Sequence, residues 1–212
     1  MRIGILGSGS VAQTLAAGFL KHGHEVLLGT RDSGKLAGWL RENHRASVAG
    51  FAEAAAFGDV VVLAVKGSAA SRVLRLAGTP NLNGKIVLDA CNPLAEGAPV
   101  NGVLRFFTSL DDSLMERLQK EFSTARFVKA FNSVGAPMMV NPELAGGPPT
   151  MFICGNDARA KQTATELLLQ FGWDTADMGG VEAARAIEPL CMLWCIPALR
   201  DGKTGHAFRL LR

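Results

Sequence analysis

The chain has 212 residues, 48% hydrophobic and 19% charged, with a net charge of +3. At about 150 residues per domain this accommodates one domain and an appendage, in a composition that is globular rather than disordered or disulfide-stapled. Tyrosine is absent, which removes the short-chain dehydrogenase mechanism in which a Tyr protonates the substrate carbonyl. The four His (His22, His24, His44, His206) share no zinc spacing and the basic residues are scattered, so neither a zinc site nor a nucleic-acid partner is expected. The apolar run before Gly7 is shorter than the roughly 7 to 15 residues of a signal-peptide core. Ile187 to Leu199 is shorter than the ~20 residues that span a bilayer. Cys91, Cys154, Cys191 and Cys195 contain no CxxC pair, which suits reduced thiols in the cytoplasm.

In chain order, Arg2 to Leu6 reads as a buried strand and Val11 to Leu20 as a helix with Leu15 and Phe19 on one face. Glu25 to Leu28 is a second strand, and Asp32 or Ser33 caps a helix through Leu36, Trp39 and Leu40. A weak third strand falls at Ser47 to Ala49, and Asp59 to Val65 is the clearest buried strand, followed by a helix at Ala69 to Leu76. Lys85 to Cys91 is the fifth strand. Asn92 to Leu110 reads as a long loop, a helix spans Asp112 to Glu121, and Arg126 to Phe131 is the sixth strand. These successive βα steps define an α/β fold with a doubly wound parallel Rossmann sheet.

The Pro- and Gly-rich stretch Ser133 to Pro149 marks a boundary between a dinucleotide-binding domain, 1–132, and a small C-terminal α/β extension, 133–212, expected to complete the same sheet and the acceptor pocket. Beyond it come a strand at Met151 to Cys154, a helix capped by Asn156 or Asp157, a strand at Thr175 to Met178 and a helical region from Val181. Pro189 predicts a break of that last region at Glu188. Its apolar stretch Leu190 to Leu199 suggests a homodimer face.

Gly7-Ser8-Gly9-Ser10-Val11-Ala12 is a GxGxxA pattern between the first strand and the first helix. Gly7 permits the tight turn, Gly9 admits a pyrophosphate close to the backbone, and Ala12 keeps the helix against the sheet. The amides of Ser10 and Val11 start the helix, where its dipole favours an anion. A tight turn with nothing bound is the bland alternative. After the second strand, Gly29-Thr30-Arg31-Asp32 with Lys35 offers a guanidinium fork, a hydroxyl and an ammonium, which suit the 2′-phosphate of NADP. Asp32 fits a helix cap better than a ribose ligand.

Those segments, with Asp89-Ala90-Cys91-Asn92-Pro93, Lys129-Ala130-Phe131-Asn132, Ile153-Cys154-Gly155-Asn156 and Asp177-Met178-Gly179, resemble the NADPH-dependent deazaflavin (coenzyme F420) reductase family, which includes the reductase domain of the STEAP ferric reductases. The resemblance covers nearly the whole chain. It implies that Ser8, Thr30, Arg31 and Lys35 hold the 2′-phosphate, and Ser10 and Val11 the pyrophosphate. It also implies that Ala64, Val65, Lys66, Asn92 and Pro93 flank the nicotinamide ribose and ring, and that Ala130 and Asn132 border the acceptor pocket. Two departures stand out: Lys66-Gly67-Ser68-Ala69 replaces the Pro or aromatic with a nearby His or acid found after the fourth strand in many relatives, and no transmembrane continuation follows.

The implied activity is hydride transfer between NADP(H) and a deazaflavin or flavin-type acceptor, which needs ring stacking more than acid or base chemistry. The alternatives are a non-catalytic NADP(H) sensor and a reductase of a small carbonyl or imine, which would need a proton donor. Lys66 and Lys129 are the only candidates for one, and both read as surface lysines. Cys191 and Cys195, four apart with Trp194 nearby, read as apolar packing or a dimer face rather than a metal or redox pair, His206 as structural, and Met138-Met139 as either ring contact or gap filler.

Overall fold

The computed structural model describes residues 1–211. Strands β1 (Arg2–Leu6), β2 (Glu25–Gly29), β3 (Ala46–Ala49), β4 (Val60–Leu63), β5 (Ile86–Asp89) and β6 (Arg126–Lys129) form one parallel sheet in the order β3-β2-β1-β4-β5-β6. This is the doubly wound dinucleotide-binding order, which places ligands at the carboxyl ends of the strands where the order reverses. β4 is four consecutive buried apolar residues, as a strand covered on both faces requires.

Helix α1 (Ser10–Lys21) lays Ala12, Leu15, Ala16 and Phe19 on one face of the sheet, at spacings of three and four residues. On the other face lies α3 (Phe51–Phe57), which the sequence reading leaves unassigned. Its small residues allow a close approach: a Cβ on Gly4 would sit 2.0 Å from the Ala54 carbonyl oxygen. Between them a 3-10 turn at Ser33–Leu36 leads into α2 (Ala37–Glu42). The remaining helices of the sheet domain are α4 (Ala70–Ala77), α5 (Thr79–Leu82) and α6 (Leu114–Glu121).

The extension departs from expectation in two ways. Strands β7 (Thr150–Ile153) and β8 (Asp174–Asp177), joined by α7 (Ala158–Gln170), form their own two-stranded parallel sheet rather than prolonging the first. They meet β6 through a single antiparallel bridge, in which the Lys129 amide donates to the Cys154 carbonyl at 3.0 Å. The second departure is α8 (Ala184–Asp201), which runs unbroken through Glu188, Pro189 and Pro197. Pro189 removes one helical hydrogen bond, but Ile187, Glu188, Cys191 and Trp194 on the same helix are buried, and that tertiary packing offsets the loss.

Phe171, following α7, packs on Phe19 at 4.8 Å and Phe131 at 5.9 Å between ring centroids, so the extension shares the core beneath α1. Met139 fills that core and its carbonyl accepts from the Trp173 indole at 2.9 Å, which assigns it a packing role. His206 stacks on Trp194 and exchanges two hydrogen bonds with it. On the outer side of α8, Leu193 and Leu199 expose about half of their surface. Among the described residues no helix is long and apolar enough to cross a membrane.

Candidate cofactor cleft

The chain turns out of β1 at Gly7, whose φ of 144° is closed to most L side chains, and a Cβ there would lie 2.2 Å from the Ala64 carbonyl oxygen. Gly7 is therefore required by the turn itself. Gly9 differs: its φ is −79°, and a Cβ would meet nothing within 4 Å. The open space above Gly9 lies on the approach to the first turn of α1. That turn has no side-chain cap and no acidic residue, whereas Ser113 caps α6 and Asp157 caps α7. The Ser10 and Val11 end of α1 thus keeps its amides for an anion.

At the end of β2 the Thr30 and Ser8 hydroxyls sit 3.2 Å apart, joining the two turns that line this corner. Asp32 accepts from the Gly34 amide at 3.1 Å and caps the 3-10 turn, as its sequence position suggested. Arg31 and Lys35 are exposed, and neither takes part in an ion pair among the described residues, where nine other pairs are formed. Two hydroxyls in contact, followed along the chain by two exposed cations in no ion pair among the described residues, are groups that suit a 2′-phosphorylated dinucleotide.

Farther along the carboxyl edge, Ala64, Val65 and Lys66 follow β4, with Lys66 exposed. Asn92 and Pro93 follow β5, and Asn132 follows β6. The Asn92 amide nitrogen donates to the Asn132 carbonyl at 2.8 Å, and the Asn132 amide nitrogen donates to the Ile187 carbonyl at 2.9 Å and to Asn92 Oδ1 at 3.3 Å. Asn132 is 3% exposed, and its Oδ1 has no hydrogen-bond partner among the described residues. Phe131 makes this turn in the left-handed region with φ of 63° while fully enclosed, a local strain that the surrounding packing sustains. Ala130, expected at the pocket border, is itself completely buried in the core.

Lys129 corrects the sequence reading most sharply. Read as a surface residue, it is fully buried, with its ammonium 2.7 Å from Asp89 Oδ2 and 2.9 Å from Glu188 Oε1, and it donates to the Cys91 carbonyl at 3.0 Å. Burial alone would lower its pKa, but the attraction of the two carboxylates outweighs that and raises it above the ordinary lysine value. The signal in the sequence was a lone charge inside an apolar run, at Lys129 after Phe127-Val128 and at Glu188 after Ile187. Charged residues are enclosed almost only when paired. Burial also pushes the neighbouring Cys154 thiol up to about 12.

A glycine turn, an uncapped helix start and an unpaired cationic corner, on this strand order, define a Rossmann-type dinucleotide-binding protein. Residues 2–93 match the family model "NADP oxidoreductase coenzyme F420-dependent". The structure superimposes with a TM-score of 0.92 on a protein of Arthrobacter sp. FB24 assigned as an F420-dependent NADP reductase, at 36% identity and covering 99% of both chains. Metalloreductase STEAP3 of Rattus norvegicus is 32% identical over 203 residues, which are 93% of this chain and 38% of that protein. A reductive aminase of Aspergillus terreus, solved with NADPH, shares the fold at a TM-score of 0.68 and 21% identity, over 95% of this chain and 62% of that one. The chain belongs to the F420-dependent NADP oxidoreductase family.

Proposed function

We propose that the protein passes a hydride between NADP(H) and a deazaflavin (F420) or flavin-type acceptor. The observation that carries this reading is the burial of Lys129, one of the two candidate proton donors. All three N–H groups of Lys129 are engaged by Asp89, Glu188 and the Cys91 carbonyl. Of the two lysines only Lys66 faces solvent. Reduction of a carbonyl or imine needs an acid beside the developing charge. Transfer between two redox rings needs them stacked with reacting atoms about 3 to 3.5 Å apart, so holding and orienting are the main tasks of the protein.

In this reading Ser8, Thr30, Arg31 and Lys35 hold the 2′-phosphate, and Gly7, Gly9, Ser10 and Val11 receive the pyrophosphate. Ala64, Val65, Lys66, Asn92 and Pro93 flank the nicotinamide end, while the Ala130 to Asn132 turn borders the acceptor. The bound cofactor supplies the hydride at nicotinamide C4. The F420 in the description of the matching family supports a deazaflavin as first choice.

The test is stopped-flow mixing of the NADPH-loaded protein with a deazaflavin coenzyme and, separately, with FMN. Loss of NADPH absorbance with either ring is expected. Oxidation by neither ring would refute the reading; turnover of ketones or imines would then favour the carbonyl or imine reductase, and no turnover at all the sensor. The four unpaired thiols suit a cytoplasmic site of action. The outer face of α8, with Leu193 and Leu199, suits pairing with a second copy. Sedimentation as a monomer at micromolar concentration would refute that pairing.

A further inference from the structure

We propose that Lys129 and Glu188 are positioning residues that set the nicotinamide half of the cleft by clamping both ends of the segment 92–113 to one buried ionic centre. The start of that segment is held through Cys91, whose amide donates to Asp89 Oδ1 at 2.9 Å and whose carbonyl accepts from Lys129. Its end is held through the first two residues of α6. The Leu114 amide donates to Glu188 Oε2 at 2.9 Å, and the Met115 amide to Glu188 Oε1 at 3.0 Å. Lys129 joins the two halves by bonding Asp89 and Glu188 at once.

Within the segment, the Phe107 amide donates to the Pro93 carbonyl at 2.9 Å and the Ala95 amide to the Arg105 carbonyl at 2.8 Å. The clamp therefore reaches Pro93 from both directions. Asn92 is fixed to Asn132, and Asn132 to the Ile187 carbonyl, one residue before Glu188. Asn92, next to Cys91, and Asn132, bonded to Ile187 next to Glu188, are thus each tied to a neighbour of a residue that bonds the same ammonium. The 2′-phosphate corner, Ser8, Thr30, Arg31 and Lys35, shares no residue with it.

Stability alone does not account for such a centre. Taking three charges out of water is costly, and apolar residues of matching volume commonly hold a core as well or better. What the ionic centre adds is direction: it fixes the amide and carbonyl of Cys91 and the amides of Leu114 and Met115, the backbone groups that flank the segment.

Glu188→Gln tests this, because it keeps the side-chain volume while turning one acceptor into a donor that faces the Leu114 amide, the Met115 amide or Lys129. Calorimetric titration of the full chain compares NADPH with 2′,5′-ADP, which carries the phosphorylated adenosine end and no nicotinamide. Unchanged 2′,5′-ADP affinity, about tenfold weaker NADPH binding and about 100-fold slower single-turnover hydride transfer are expected, the cost of a misplacement of roughly 1 Å. Faster amide exchange across 92–113 accompanies them.

A second variant, Asp89→Asn with Lys129→Met and Glu188→Leu, removes all three charges without stranding one. It is expected to fold, melting below the wild type only by the cost of the Leu114 and Met115 amides left without an acceptor, and to bind NADPH weakly. Equal losses for the two ligands in Glu188→Gln, or wild-type NADPH affinity in the charge-free variant, would overturn the proposal and leave the centre a purely structural tie. Failure of Glu188→Gln to fold counts on the same side unless the charge-free variant folds and binds NADPH weakly. The proposal rests on the hydride-transfer reading only for its kinetic arm. If the wild type reduces neither ring, that reading falls, while the NADPH and 2′,5′-ADP comparison still decides this one.

Discussion

Substituting Ala at Gly9 separates a cofactor cradle from a mere tight turn. Gly9 has φ of −79° and extended ψ of −178°, open to any L residue, and the added methyl would meet no protein atom within 4 Å. The folded state bears no strain from the exchange, while the unfolded chain loses conformational freedom, so Gly9→Ala should stabilise the protein by about 0.4 to 1 kcal/mol. For a domain of this size that raises Tm by roughly 1 to 4 °C. The same methyl projects into the space in front of the uncapped start of α1, where a pyrophosphate must come close to the backbone. NADPH affinity should therefore fall by at least about tenfold, or ~1.4 kcal/mol, while stability holds. Gly7→Ala should do the reverse, since its Cβ would lie 2.2 Å from the Ala64 carbonyl oxygen at φ of 144°; it should unfold the protein or lower Tm steeply. Thermal melts paired with fluorescence titration of NADPH read both effects. A Gly9→Ala protein that is stable and binds NADPH as tightly as the wild type would refute the cradle.

Arg31 follows Thr30 in the chain and is in no ion pair among the described residues, so Arg31→Ala should cost NADPH about 2 kcal/mol, roughly 30-fold in affinity, with NADH hardly affected; equal losses in titrations of both would contradict a 2′-phosphate site. Stability should fall steadily in alkali. The folded pKa of Lys129 is raised, so its contribution is complete below the unfolded value of about 10.4 and is lost as pH climbs above it. The Cys154 thiol, at about 12 when folded, ionises in the unfolded chain from about pH 8.5, adding a slope of about 1.4 kcal/mol per pH unit between those values. Urea midpoints measured between about pH 8 and 11 should therefore decline less steeply in Cys154→Ala, and an unchanged slope would contradict this. Arg185 forks onto Glu116 at 2.6 Å but is 41% exposed, so in a denaturant titration Arg185→Ala should shift the midpoint far less than Lys129→Met, which should cost about 3 to 5 kcal/mol. Equal costs would mean that burial does not set the worth of these pairs.

What was legible in the sequence was whatever depends on local pattern. The apolar runs of β1 and β4, the Leu15 and Phe19 face of α1, the glycine turn and the Asp32 cap each follow from residues within a few positions of one another. The strand order, and with it the meeting of the turns at Ser8 and Thr30, follows from those elements by the geometry of the fold. Nonlocal pairing was hidden. α3 was missed because Phe51-Ala52-Glu53-Ala54-Ala55-Ala56-Phe57 has no long amphipathic period; its helix is short and its small residues serve a backbone contact with Gly4 that only the fold reveals. Pro189 misled for the same reason, since the packing that sustains α8 comes from α6 and the turn after β6. Lys129 looked like a strand-end surface charge until Asp89, forty residues earlier, and Glu188, in another part of the chain, closed around it.

That closure changes what the extension is. A pocket border needs only a covering surface, and a short α/β appendage with its own two-stranded sheet could supply one from outside. Here α8 reaches inward instead: the Ile187 carbonyl orients Asn132, and the Glu188 carboxylate receives the first amides of α6 while bonding Lys129. The extension thereby acts on the ends of β5 and β6 through backbone groups, where a side chain at its surface could be exchanged freely. The corner proposed for the 2′-phosphate lies on the segments after β1 and β2 and shares no residue with it. In the proposed reading cofactor choice and cofactor placement fall to separate parts of the chain, so substitutions in α8 should alter how the nicotinamide end is presented without altering which dinucleotide is held.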